Sequence, residues 1–129
     1  MAYPDVSRGS KRTYATMIIS TAADGLSDMV DITGYFLGGL TMSTAWTAAN
    51  IGFKVSVDGT TNLQDVYLSS GDLYTISSSA NRAVIIPATN FLAFGKMQLV
   101  SETTAGVAVA QAAPRTVQLA LYTYVTGGN

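Results

Sequence analysis

Hydrophobic and polar residues alternate with a period of two through most of this chain. Phe53, Val55 and Val57 point one way and Gly52, Lys54 and Ser56 the other, as in a strand with one buried and one wetted face. Asp58-Gly59 then supplies residues that tolerate positive φ and predicts a tight turn. Leu63, Val66, Tyr67 and Leu68 resume an apolar return strand. The strongest alternation runs from Arg115 to Val125. There Val117, Leu119 and Leu121 oppose Thr116, Gln118 and Ala120, and Tyr122 and Tyr124 add bulk to the second face. Met97, Leu99 and Ser101 alternate in the same way with Gln98 and Val100.

Shorter strand signals fill the rest of the chain. Tyr14 to Ser20 is rich in Thr, Met and Ile and meets a turn at Ala23-Asp24-Gly25. Asp28 to Thr33 places Val30 and Ile32 on one face. Tyr35 to Ser43 is interrupted by Gly38-Gly39, and a glycine pair inside a strand marks a bulge or a close backbone approach. Leu73 to Ser77 and Arg82 to Ile86 read as another short pair. Pro87 ends it, and Ala88 to Ala93 reads as a turn or a single helical turn. Glu102 to Pro114 is low in bulk and predicts a loop draped over a surface. Eight or nine short strands with frequent turns and no amphipathic helix predict an all-β, antiparallel β-sandwich, jelly-roll-like in architecture. Its expected core is Phe53, Val55, Val57, Leu99, Val117, Leu119 and Leu121. We place the domain at residues 13–126, between an extended arm (1–12) and a Gly-rich tail (127–129).

Composition narrows the functions open to such a fold. Charged residues make up 12% of the 129 residues, about half the usual share, and Ser, Thr, Asn and Gly stand in their place. Such a surface can be buried without desolvating many full charges. The net charge of −1 gives no global field to attract nucleic acid. The chain has no His and no Cys, which excludes imidazole bases, His triads, thiolate nucleophiles and cysteine metal motifs. No apolar run approaches the roughly 18 residues that span a membrane, and the first residues lack the order of a signal peptide.

The remaining candidate chemistry has a structural explanation beside each functional one. Asp24, Asp58 and Asp72 sit beside Gly, where Asp stabilises turns by bonding its own backbone. A glycosidase needs two carboxylates facing one groove, and no spacing here selects a pair. Asp24, Asp28 and Asp31, or Asp58 and Asp65, are near enough in sequence to suggest calcium, but neither set has the EF-hand pattern. Trp46, Tyr67, Tyr74, Tyr122 and Tyr124 are either a sugar platform or core packing, and a single Trp favours packing. No catalytic residue, metal or cofactor is therefore expected. In the arm, Pro4 favours polyproline II, which puts Tyr3 and Val6 on one side. Arg8, Lys11 and Arg12 follow, while the body keeps four basic and seven acidic side chains. These five residues are the candidate subunit-contact arm.

Two segments carry a resemblance to known proteins. One runs from Ala45-Trp46 through Asn50, Phe53 and Ser56 to Asp58-Gly59 and on to Val66-Tyr67. The other spans Pro87-Ala88, Phe91, Met97 to Ser101, and Gln111 to Leu119. Together they resemble small β-sandwich virion proteins of tailed bacteriophages, in which capsid decoration, or cement, is a recurring role. The resemblance implies a structural virion protein without an active site. The leading expectation is a homo-oligomer, with a trimer favoured, since a low-charge sandwich with an extended arm can bury subunit interfaces without desolvating many charges. Its partners are the major capsid protein or other virion proteins, in a virion assembled in the host cytoplasm. The alternative is a glycan- or receptor-binding module on the particle, as a head fibre or tail component. Neither nucleic acid nor membrane is expected as a partner.

Overall fold

The computed structural model describes residues 10–124. It contains nine strands: β1 (Ser10–Ile19), β2 (Leu26–Asp31), β3 (Phe36–Thr41), β4 (Asn50–Ser56), β5 (Gln64–Asp65), β6 (Thr75–Ser77), β7 (Ala83–Ile85), β8 (Lys96–Glu102) and β9 (Arg115–Tyr124). All pairs are antiparallel, in the order β5-β4-β8-β2-β1-β9-β3-β7, with β6 also on β4. The fold is all-β, as the alternation predicts. Its pairings are nested: β1 with β9, β2 with β8, β3 with β7, and β4 with β5 and β6. Rolling up one long hairpin produces this order, which is the strand order of a jelly roll. Two separate packed sheets were expected. Instead, the pair Ile19↔Ser27 joins β1 to β2, and a single curled sheet wraps the core.

The inner rows of both limbs meet in one cluster. On one limb Ala15, Leu119, Leu40 and Val84 form a row across β1, β9, β3 and β7. On the other, Phe53 opposes Leu99 and Val55 opposes Met97. Phe91, in the turn before β8, closes one end with its ring 4.9 Å from Phe53 and 5.9 Å from Tyr74. Burial of each such side chain contributes about 1.5–3 kcal/mol. Six of the seven expected core residues are buried here. Val57 is not, at 76% exposed. Strand β4 ends at Ser56, whose rung with Lys96 is the last, so Val57 has no facing layer.

Two bulges set the alternation. Leu37 pairs with Leu121 and Gly39 with Ala120, which leaves Gly38 as the extra residue. Leu37 and Leu40, three apart, can therefore both face the core. A Cβ on Gly39 would lie 2.6 Å from the Val84 carbonyl oxygen, so the glycine pair supplies both the bulge and the close approach. In β2 the register shifts between Leu26 and Met29. There the Ser27 hydroxyl accepts from the Leu99 N–H (2.9 Å) and donates to the Asp28 carbonyl (2.7 Å), replacing part of the ladder.

Two further expectations are corrected. Leu73–Ser77 and Arg82–Ile86 do not pair with each other, because β6 lies on β4 and β7 on β3. Nested pairing carries β6 and β7 to separate limbs, whereas a hairpin would join them as consecutive strands. The arm was placed at 1–12, yet Ser10, Lys11 and Arg12 belong to β1, opposite Tyr124, Thr123 and Tyr122. Residues 1–9 and 125–129 lie outside the described residues, and with them the expected Gly-rich tail.

Candidate functional site

The outer face of the β1-β9-β3-β7 limb follows from the same register. Since Met17, Val117, Leu119 and Leu40 point inward, their neighbours point out. Tyr14, Ala120, Gly39 and Ile85 then form a row across four strands, beside Thr16, Gln118, Thr41 and Ala83. Ile18 extends the face on β1. These two rows contain no charged residue. Tyr14 (66%) and Ile85 (88%) are strongly exposed, and Gly39 and Ala120 keep the ground between them low. The alternation of β1 hints at this second apolar face, since Tyr14 and Ile18 oppose Ala15, Met17 and Ile19.

Of the expected arm residues, Lys11 and Arg12 stand exposed on β1, and Arg12 continues the face of Tyr14 beyond its charge-free part. Tyr3, Val6 and Arg8 lie outside the described residues. The aromatic set is dispersed. Tyr74 stacks on Phe53 at 5.5 Å, Tyr122 packs on Phe36 at 4.8 Å, and the Trp46 indole donates to the Ala49 carbonyl. Tyr67 alone of these four stands strongly exposed, at 61%. It lines a groove of about 360 Å³ at the β4–β5 turn, together with Val57, Asp58, Asn62, Gln64 and Phe94.

Asp24, Asp31 and Asp58 hold turns, accepting from the N–H groups of Leu26, Thr33 and Thr60, while Asp28 on β2 accepts from the Ile18 N–H of β1. Backbone hydrogen bonds from Thr33 and Thr60 hold the Asp31 and Asp58 carboxyls below the usual carboxylate value. Among the described residues no group of three carboxylates is arranged to hold a metal ion.

Glu102 is buried where these are exposed. It lines a pocket with Asp24, Lys54 and Asp65. Lys54 and Asp65 form an ion pair at 2.9 Å. Glu102 leans over Gly52, whose missing side chain makes room for its carboxyl. The residue is 4% exposed, and its Oε2 is buried without a partner. Burial raises its pKa, the Asp65 charge adds to the rise, and Lys54 offsets part of it. Three carboxylates thus share a pocket, but a general acid must reach the substrate, and the Glu102 Oε2 is buried.

Sequence reasoning also missed a polar clip. Gln111, fully buried, accepts from the Thr47 N–H (2.8 Å) and the Arg115 Nε (3.1 Å). Its amide donates to the Thr47 carbonyl (3.0 Å) and the Ser101 hydroxyl (2.8 Å). This ties the loop after β3 to the loop before β9, and no local pattern announces it. Among the described residues no helix is long and apolar enough to cross a membrane. No family model, curated protein or solved structure matches the chain, so its function must be argued from its own surface and chemistry.

Proposed function

We propose that the chain is a structural virion protein of a tailed phage, most specifically a capsid decoration protein that attaches as a homo-oligomer. The observation that carries this reading is the charge-free centre of the outer face of the β1-β9-β3-β7 limb, the rows of Tyr14 and Thr16. A four-stranded surface that exposes Tyr14, Ile18 and Ile85 gains free energy when another protein covers it. Its Thr and Gln side chains bond a partner without the cost of desolvating a charge. The low overall charge and the nested-strand body suit repeated contact between copies. The sequence resemblance supplies the virion context. Quantitative mass spectrometry of purified virions from a phage encoding the chain tests it. The reading expects a copy number fixed by head symmetry, and loss of attachment in a folded Ile85→Asp variant. Virions without the chain would contradict it.

The glycan-binding alternative is favoured by a different observation, the groove at the β4–β5 turn. There an exposed Tyr67 stands beside Asp58, Asn62 and Gln64.

A further inference from the structure

We propose that the groove at the β4–β5 turn binds a neutral pyranose sugar, with Tyr67 as the stacking platform. The inference rests on the glycan reading and is independent of attachment to a particle. Tyr67 follows β5 and forms an isolated bridge with Leu73, outside the named strands. Its ring is exposed and belongs to the groove wall. Val57, left outside the core where β4 ends, and Phe94 extend the apolar part of the lining. An aromatic ring beside such surface takes the C–H face of a pyranose, which has no polar atom to desolvate.

The polar side of the groove fits vicinal hydroxyls. The Asp58 carboxylate is held by the Thr60 N–H through one oxygen, at 3.1 Å, and its two oxygens keep lone pairs for a further donor. Asn62 and Gln64 are exposed and each offers an amide donor and acceptor. A hydroxyl pair both donates and accepts, so this set matches a sugar edge. Charge selects further. The charged residues of the lining are Asp58 and Asp65, and Asp65 is paired with Lys54. No cation in the lining welcomes a phosphate or a carboxylated sugar. An added peptide strand needs a long unpaired edge, whereas β5 offers two residues. Other grooves on the molecule have similar volumes. The combination of an exposed ring with exposed amides and a held carboxylate distinguishes this one.

Saturation-transfer NMR of the full chain with a panel of neutral methyl hexopyranosides, and with sialyllactose as the anionic probe, tests the proposal. Saturation is expected to reach at least one neutral hexoside. Tyr67→Ala should weaken that binding by about tenfold or more with the thermal melt unchanged, and Tyr67→Phe should retain it. Asn62→Ala should also weaken it. Absence of transfer to every neutral hexoside would overturn the proposal, as would equal binding by Tyr67→Ala or preference for the sialylated probe. Any of these results leaves the particle reading standing, since that depends on the opposite limb.

Discussion

Adjacent glycines in β3 should respond in opposite ways to the same substitution. A Cβ on Gly38 would find its nearest atom, Tyr122 Cε1, at 3.8 Å, an ordinary contact. A Cβ on Gly39 would lie 2.6 Å from the Val84 carbonyl oxygen. That neighbour is backbone and cannot swing aside. To restore an ordinary separation of 3.4 Å, β7 must retreat by about 0.8 Å. The flanking hydrogen bonds, Ile86 N–H to the Gly38 carbonyl (3.1 Å) and Met42 N–H to the Arg82 carbonyl (2.9 Å), would then stretch past useful range. Two ladder bonds at about 0.5–1.5 kcal/mol each, with some loosening around buried Ile86, give a cost of about 1–3 kcal/mol for Gly39→Ala. Gly38→Ala should be neutral or stabilise by about 0.4–1 kcal/mol through the unfolded state. Urea unfolding measures both, and hydrogen exchange should show faster β7 amides only in Gly39→Ala. Equal stability of the two variants would refute the close approach and the bulge register behind it.

Leu119→Ala should cost about 2–5 kcal/mol by urea unfolding, because Leu119 is fully buried in the row that spans four strands. Glu102→Gln tests the sign of a buried charge. A carboxyl whose folded pKa is raised above its ordinary value of 4.5 contributes stability below that value and loses it as pH rises through the folded pKa. The variant should therefore melt higher than wild type at neutral pH and match it below about pH 4; a variant that melts lower at neutral pH would contradict this. Gln111→Ala should cost about 1–3 kcal/mol, since it strands the buried Ser101 hydroxyl and the partly buried Thr47 backbone groups at once.

What the sequence revealed depended on how far away the deciding contacts lie. The alternation of Val117, Leu119 and Leu121 was legible because a strand's two faces are a local property, and the core accepted all three. Asp58 and Asp24 were legible as turn residues because their acceptors bond N–H groups two residues on. Val57 continues the alternation of β4 but lies past its last rung, which only the partner strand β8 defines. Glu102 reads as one more exposed carboxylate until Gly52 and the loop after β8 cover it. Gln111 gains its role from Thr47, 64 residues away. The outer face was half legible: β1 shows apolar residues on both sides, but Ile85 joins Tyr14 only through the pairing of β7 with β3 and β9.

The central claim is that the face bearing Tyr14, Ile18 and Ile85 is a contact with other virion proteins. A cryo-EM reconstruction of virions from a phage that encodes the chain tests it most directly. The account predicts density for this curled sheet at a symmetry-related position, with the β1-β9-β3-β7 face covered by a neighbouring subunit. A particle in which that face points into solvent, or which lacks the chain altogether, would contradict it.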